Sequence, residues 1–456
     1  MKHLRLIPLL LILSILLSFV VAAAYPAPTL GAQDVAQKWA DGKILSIAHR
    51  AAYRSAPENS LLAIEAAILM GIDMLELDIK QTSDGVIVIS HDKTIDRVTM
   101  GSGTISSLTW SKIKSYALEP ELGNVGSAYK LTAADANFLN RLSTYKSYVG
   151  TAASGGTLPM ARLEQVIELV QKRCMLSLDY AMDTEASFAA CYVLFREAGM
   201  LDHVLFKDSM SISALNGMYA AAAAKWNESH TPTITAKDVQ ASIMYLHIRG
   251  SSGSTSDLQN LLNNGDNVVM TEVSIGKTAD ESGVKNTVEP WCISKGIALE
   301  AYTNAGYFGA RTDNEICWAD AINRGYTAIQ TDRPSELATY LNAINHDRYA
   351  TTTIQAEHFN SYSGTFTVPD AADSNLNKTV QSMQNGSQLC YENVIFSGKE
   401  NQIRFVAAGG SKAATVKVYI DSTSNQVASF SVAASAASKT YAINLSKAIT
   451  AGKHKV

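Results

Sequence analysis

The sequence has few charged residues and no concentration of basic ones. Only 18% of its 456 residues are charged, with 38 Lys and Arg against 42 Asp and Glu, and the net charge is −4. Nucleic-acid-binding domains carry a basic patch or stripe, so this balance argues against a nucleic-acid partner. An acidic protein that handles an anionic phosphate needs a cation or local arginines to offset the repulsion.

Cysteine is also sparse, and no two cysteines form a C-x-x-C motif. The five cysteines are Cys174, Cys191, Cys292, Cys317 and Cys390. Without that motif we do not expect a zinc or redox site, and we expect the cysteines to be buried apolar thiols. Export would permit disulfides, but five is an odd number and the sequence does not assign pairs.

The longest apolar run lies at the N-terminus. Lys2 and Arg5 precede an apolar stretch over residues 6–24 that ends in three alanines. This pattern is typical of a secretory signal peptide, although the stretch is also long enough for a membrane anchor. We therefore expect residues 1–24 to be a signal peptide or anchor, and the protein to be exported: secreted, periplasmic or associated with the cell surface.

One short region concentrates residues that can do chemistry: His49, Arg50, Glu76, Asp78 and His91. Histidine can shuttle protons near neutral pH, and a guanidinium suits a phosphate. Two carboxylates on one strand face suit a hard cation. Few reactions need all three features, and cleavage of a phosphodiester is the leading one.

The local geometry follows from two β-branched apolar segments, residues 74–79 and 86–91, which are typical of strands. The dipeptide Asp84-Gly85 between them indicates a hairpin. If these two residues form the whole loop, Asp78 pairs directly with His91. The hairpin would then bring His91 onto the face that carries the two acids.

Strand-like segments alternate with helical ones over residues 40–345, which predicts a (β/α)8 TIM barrel. In this fold the chemistry lies at the C-terminal ends of the strands, where His49, Asp78, Asp179, Lys207 and Tyr302 all stand. The eight predicted barrel strands are Ile44–His49, Met74–Asp78, Met175–Asp179, His203–Asp208, Ser242–Ile248, Asn267–Val273, Ile297–Thr303 and Thr327–Asp332.

Two regions depart from this pattern. Residues 119–156 are rich in small residues with little helical periodicity, which predicts an insertion that is either a substrate-facing lid or a solvated decoration. Over residues 350–456, short Val, Ile, Phe and Tyr runs separated by Ser, Gly and Asn predict a smaller all-β sandwich. Its last residues resemble the start of another strand, so we expect an incomplete sandwich.

Residues 43–340 resemble the glycerophosphodiester phosphodiesterase family in the order and spacing of their motifs. The resemblance implies a phospholipase C-like TIM barrel that uses one divalent cation, Ca²⁺ or Mg²⁺. It also implies hydrolysis of glycerophosphodiesters, small molecules or envelope-derived, to an alcohol and sn-glycerol 3-phosphate. The matching motifs are His49-Arg50-Ala51, Pro57-Glu58-Asn59-Ser60, Glu76-Leu77-Asp78, Asp84-Gly85, His91-Asp92 and Thr331-Asp332-Arg333-Pro334.

The resemblance also implies roles for individual residues. Glu76 and Asp78 match the first two metal ligands, and Asp179 stands where the family usually has a third ligand, a glutamate. His49 and His91 match the general acid and base. One takes the proton from the glycerol 2-hydroxyl as it attacks phosphorus, and the other protonates the leaving alkoxide, so that a cyclic phosphate forms and is then opened by water.

The chain departs from the family around this core. Ala51 replaces a glycine, and Ala181 replaces a lysine that usually follows the third acid. Lys207, at the end of the next strand, offers a replacement charge, and Tyr302 stands where the family has a tryptophan. We predict that Arg50, Lys207 and Tyr302 bind substrate, and that the reaction is retained while the headgroup preference has shifted.

The C-terminal region resembles a family 6-like carbohydrate-binding module. Its opening segment, residues 354–359, and the later Gly452-Lys453-His454 are similar to the ends of such modules. The resemblance implies a polysaccharide partner and a structural Ca²⁺ ion with Glu357 as a ligand.

Two other functions remain open. The same barrel could act as a phospholipase of the sphingomyelinase D or phosphoinositide-specific type, because those relatives share paired histidines. A third hypothesis is a non-catalytic scaffold or glycan-binding protein, against which the retention of both histidines and both acids argues.

Overall fold

The structure is a computed structural model. It describes residues 43–120, 126–250, 253–274, 283–303, 313–368 and 380–456, together with Lys38, Asp41 and Gly123. The proposed signal segment, residues 1–24, lies outside the described residues. Among the residues described, no helix is long and apolar enough to cross a membrane.

Eight parallel strands close into a barrel. The barrel strands are β1 (Leu45–Ala48), β2 (Met74–Gln81), β4 (Met175–Asp179), β5 (Val204–Asp208), β6 (Met244–Gly250), β7 (Val268–Ser274), β8 (Ala298–Tyr302) and β9 (Ala328–Thr331). The hydrogen-bonded order is β1-β9-β8-β7-β6-β5-β4-β2, and a further pairing of β1 with β2 completes the ring. Ala48 closes it, because this residue pairs with Leu75 of β2 on one side and with Thr331 of β9 on the other. The predicted barrel and its eight strands are confirmed.

Helices surround the barrel and also lie in the segments that connect its strands. They are α1 (Leu61–Leu69), α2 (Trp110–Ile113), α3 (Ala133–Leu139), α4 (Ser143–Tyr148), α5 (Leu163–Val170), α6 (Glu185–Glu197), α7 (Ile212–Asn227), α8 (Ala236–Ser242), α9 (Ser256–Asn264), α10 (Glu289–Lys295), α11 (Glu315–Asn323) and α12 (Pro334–Asn345). Side-chain caps mark several starts, for example Ser60 on α1 and Thr184 on α6, because these oxygens satisfy N–H groups that the first turn leaves without partners.

The barrel interior changes from apolar to polar along the strands. A buried cluster that includes Met74, Met175, Leu205 and Met270 fills the lower part. Side chains on a strand repeat their direction every two residues, so the next inward layer on β2 begins with Glu76. The apolar layer therefore forms a floor beneath the acidic residues.

The hairpin exists, but its predicted register is wrong by one residue. Ile79 pairs with Ile89 on β3 (Ile87–Ile89), and the Ser90 backbone N–H donates to the Asp78 carbonyl at 2.8 Å. The loop has three residues, because the Thr82 hydroxyl binds Asp84 and the Val86 N–H and thereby closes the turn earlier. A one-residue slip moves side chains to the opposite face. His91 therefore does not pair with Asp78 but follows the end of β3 by two residues.

Residues 119–156 contain helices although their sequence shows little helical periodicity. The structure describes two helices there, α3 and α4. Thr132 and Asp135 form a capping box at the start of α3, a T-x-x-D signal of a helix start. Glu168 of α5 accepts hydrogen bonds from the backbone N–H groups of Ser143 and Thr144 at 2.7 and 2.8 Å, so α4 is fastened to the barrel's outer layer.

The C-terminal region is all-β, as predicted. Its strands are β10 (Arg348–Tyr349), β11 (Ser361–Ser363), β12 (Gln388–Cys390), β13 (Val394–Phe396), β14 (Gln402–Ala407), β15 (Ala414–Tyr419), β16 (Gln426–Val432), β17 (Lys439–Asn444) and β18 (Gly452–His454). Within the described residues they form a three-stranded sheet, β10-β13-β18, and the pairs β11-β12, β14-β17 and β15-β16. Tyr340 of α12 donates to the Phe359 carbonyl at 2.9 Å, which ties this region to the barrel.

Candidate active site

Three carboxylates meet at the C-terminal ends of β2 and β4. The parallel register places Asp78 directly beside Asp179, and Glu76 lies one step lower on the same face. One oxygen of each of Glu76, Asp78 and Asp179 lies within 4.8 Å of the others. The structure thus brings together the three residues predicted as metal ligands, including the shorter Asp179.

Burial makes this cluster electrostatically costly. Glu76 and Asp78 are each only 1% exposed. Burial and then the neighbouring charge of Glu76 raise the pKa of Asp78 to about 6. Three carboxylate groups so close together fit a hard divalent cation such as Ca²⁺ or Mg²⁺. The donor set therefore suits the cation that the sequence resemblance implies.

Neighbouring groups hold these carboxylates in place. The Asn59 amide donates to Asp78 Oδ2 at 2.8 Å, and the Arg50 backbone N–H donates to Glu76 Oε2 at 3.0 Å. This geometry requires left-handed backbone at Arg50, Ala51 and Asn59, whose φ angles are 52°, 61° and 56°. Glycine adopts such angles freely. Ala51 adopts one with a Cβ atom, so alanine is an unusual residue at this position.

Lys207, predicted to bind substrate, is buried among carboxylates. Its Nζ lies 2.7 Å from Glu272, 3.3 Å from Asp179 and 3.7 Å from Glu76. Burial opposes its charge, but the surrounding acids raise its pKa well above the ordinary value. The structure thus places Lys207 as a counter-charge beside two of the candidate ligands.

His49 is held by an acid from the last barrel strand. Its Nδ1 lies 2.6 Å from Asp332 Oδ1, and its ring stands edge-on to Tyr302 with the centroids 5.7 Å apart. Burial alone would lower the pKa of His49, but the hydrogen bond to Asp332 and the charge of Glu76 outweigh it and raise the pKa. The Tyr302 ring therefore lies against His49, and its binding of substrate stays a prediction.

His91 is held by a chain of charged groups. Its Nδ1 lies 2.7 Å from Asp92, and Arg97 donates from Nε to Asp92 at 2.7 Å. Both terminal nitrogens of Arg97 donate to Glu58 at 2.7 Å, and Glu58 also accepts from Arg50 at 3.2 Å. Glu58 therefore links Arg50, the candidate phosphate-binding residue, to His91 through Arg97 and Asp92.

Sequence reasoning missed several of these residues. The sequence marked Asp332 only as part of a motif, with no role, and did not single out Arg97. Glu272 and Glu300 were also missed. Each is a single acid within a mainly apolar barrel strand, which is a readable signal. Both carboxylate oxygens of Glu300 lack a hydrogen-bond partner in the described part of the chain, and burial, then Glu272, raises its pKa well above the ordinary value.

Comparison with known proteins identifies two regions. Residues 49–197 match the model of the Glycerophosphoryl diester phosphodiesterase family, and residues 355–456 match Carbohydrate binding module (family 6). Both resemblances that the sequence carries are confirmed. The first match ends within α6, so the motif at residues 331–334 lies beyond it.

Similar individual proteins match over short stretches. Glycerophosphodiester phosphodiesterase 1 of Rattus norvegicus is 47% identical over 72 residues, which is 16% of this chain and 22% of the relative. Glycerophosphodiester phosphodiesterase of Caldanaerobacter subterraneus is 43% identical over 72 residues, 16% of this chain and 30% of the relative. The chain thus spans less than a third of the length of these two curated relatives.

Solved structures match over more of the chain at low identity. A glycerophosphodiester phosphodiesterase from Agrobacterium tumefaciens is 19% identical with a TM-score of 0.42, covering 65% of this chain and 99% of that one. One from Parabacteroides distasonis is 19% identical with a TM-score of 0.47, covering 69% and 92%.

Replacing Asp78 by asparagine should weaken Ca²⁺ binding by at least about tenfold, because a hard cation prefers charged oxygen ligands. In the wild type the affinity should fall as the pH drops through about 6, where Asp78 takes up a proton. Calorimetric titration measures both effects. Asp96→Asn, an exposed acid outside the cluster, is the matched control, and equal affinities of the two variants would contradict this ligand assignment.

Replacing Asp332 by asparagine should lower the pKa of His49, because the variant loses the hydrogen-bonded charge that raises it above 6.5. In the wild type this interaction stabilises the fold fully below pH 6.5 and is lost as the pH rises through the folded-state pKa. NMR titration of the histidine rings measures the shift. Asp421→Asn is the control, since it should move only His454. An unchanged His49 titration in Asp332→Asn would refute the coupling.

Proposed function

We propose that the barrel is a metal-dependent glycerophosphodiester phosphodiesterase that releases an alcohol and sn-glycerol 3-phosphate. The observation that carries the proposal is the meeting of three carboxylates with two carboxylate-supported histidines at one barrel mouth. The short but 47% identical match to a protein named for this activity supports it. A bound Ca²⁺ or Mg²⁺ ion, held by Glu76, Asp78 and Asp179, would supply positive charge that stabilises the developing phosphorane.

The two histidines divide the proton transfers. His91 takes the proton from the glycerol 2-hydroxyl as this oxygen attacks phosphorus. His49, whose pKa is raised, gives a proton to the leaving alkoxide. Attack by a hydroxyl of the same molecule profits from proximity, and each positioned proton donor or acceptor contributes about 10²–10⁴-fold. Water then opens the cyclic phosphate with the two roles exchanged.

The remaining side chains orient the substrate. Arg50 presents its guanidinium beside Asp78 and Glu58, where it can donate to a phosphate oxygen. Tyr302 offers an apolar face next to His49. Lys207 lies close to three acids and offsets part of their negative charge beneath the substrate.

The surroundings of the reaction belong to the same proposal. The C-terminal region would bind a polysaccharide, with Glu357 as a ligand of a structural Ca²⁺ ion. The support is its match to the carbohydrate-binding family. An exported enzyme held near a cell envelope in this way would meet deacylated phospholipids or glycerol-phosphate polymers.

Replacing either His49 or His91 by alanine should abolish turnover of glycerophosphodiesters while the circular dichroism spectrum stays native. Each variant removes one proton-transfer group, so kcat falls by about 10²–10⁴-fold. The assay is phosphate-ester release from a panel of glycerophosphodiesters and teichoic-acid fragments, with Ca²⁺ or Mg²⁺.

His346→Ala, which removes an exposed histidine after α12, is the matched control and should keep the wild-type rate. A near-normal rate in either site variant refutes the assigned roles. Turnover of intact sphingomyelin but of no glycerophosphodiester would favour the phospholipase hypothesis. Identical behaviour with and without metal on every substrate would favour the non-catalytic one.

A further inference from the structure

Lys80 is a second buried lysine at the barrel mouth. It lies on β2 two residues beyond Asp78 and is 9% exposed. Because strand side chains repeat their direction every two residues, Lys80 follows Glu76 and Asp78 on one face. It therefore stands just above the carboxylate cluster, towards the side from which a substrate enters.

The ammonium of Lys80 is only partly satisfied. Its Nζ donates to the Ile79 carbonyl at 3.0 Å and lies 3.6 Å from the centre of the Tyr180 ring. The carboxylates of Asp78 and Asp179 act on it electrostatically, yet within the described ranges no acid forms an ion pair with it. An ammonium has three donors, so two of them are available to an anion.

The two buried lysines therefore differ. Lys207 has three carboxylates within 3.7 Å, and a substrate oxygen could bind it only by displacing one of them. Burial lowers the pKa of Lys80, whereas the face of the Tyr180 ring favours the ammonium without being an ion-pair partner. Of the two, Lys80 has the free hydrogen-bonding capacity that a phosphate needs.

The backbone of Tyr180 adopts an unusual conformation that serves this arrangement. Its φ is 60°, a left-handed conformation that is rare for a bulky side chain. The Tyr180 N–H donates to Asp179 Oδ1 at 2.8 Å, and its ring stands edge-on to that of His91 at 5.8 Å. Strained backbone of this kind is concentrated at functional sites. The conformation places one ring in contact with both Lys80 and His91.

We propose that Lys80, held over the face of Tyr180, binds a phosphate oxygen of the substrate beside His91. The inference rests on the proposed function and assigns to Lys80 the substrate-binding charge that the sequence suggested for Lys207. The ligand chemistry is a phosphate oxyanion, which the diester substrate, the monoester product and inorganic phosphate all supply.

The test replaces Lys80 by methionine, which keeps the length of the chain and removes the charge. Affinity for sn-glycerol 3-phosphate, measured by calorimetry with saturating Ca²⁺, should fall by roughly 10- to 100-fold, as expected for loss of a charged hydrogen bond. The KM for glycerophosphodiesters should rise by a similar factor with little change in kcat. Lys80→Arg should restore most of the affinity.

Lys112→Met is the matched control, since it removes an exposed lysine that also lies over a tyrosine ring, that of Tyr116. Tyr180→Asn, a residue that tolerates left-handed backbone, should lower the affinity about threefold. Should Lys80→Met not fold, Lys80→Gln enters the same titrations. Unchanged product affinity in the folded Lys80 variant, or an equal loss in the control, overturns the proposal.

Titration with inorganic phosphate separates this proposal from the proposed function. If the wild type cleaves no glycerophosphodiester but Lys80→Met loses phosphate binding, the assigned reaction fails and the phosphate site stands. If the wild type is active and the Lys80 variant binds phosphate and product normally, only the role of Lys80 fails.

Discussion

The repulsion between buried carboxylates is the constraint on which the rest of the site depends. Glu76, Asp78 and Asp179 converge at the ends of two adjacent strands, and isolated buried charges cost far more than a domain's net stability. Hydrogen-bond donors and a lysine held in fixed positions offset part of this repulsion. Asn59 and the Arg50 backbone bind the acids directly, and Lys207 lies in ion-pair distance of two of them. A divalent cation would relieve what remains.

The supporting groups are organised around shared acids. Glu58 receives Arg50 and Arg97, and Arg97 in turn holds the acid that orients His91. On the opposite side Asp332 orients His49. Removing one partner of an ion pair leaves the other charge uncompensated, which costs most where both are buried, as in the pair of His49 and Asp332. Such coupling makes the positions of the two histidines depend on residues that never touch the substrate.

Much of this fold was predictable because short hydrophobic runs in the sequence indicate strands. All eight barrel strands were found from such runs, and the inward-facing residues at their ends gave Asp179 and Lys207. The hairpin register was not predictable, because a hydroxyl of Thr82 decides the loop length. The helix α3 carried a visible capping signal at Thr132 that composition obscured. Contacts such as Arg97 with Glu58 join residues far apart in sequence and leave no local pattern.

The central claim is that the three carboxylates form one divalent cation site. The direct measurement is a crystal structure of the protein grown with Mn²⁺, in which anomalous scattering locates the metal. The account predicts one strong peak at the barrel mouth, within about 2.0–2.5 Å of oxygens from Glu76, Asp78 and Asp179. A metal-saturated crystal with no anomalous peak among these three residues would contradict it.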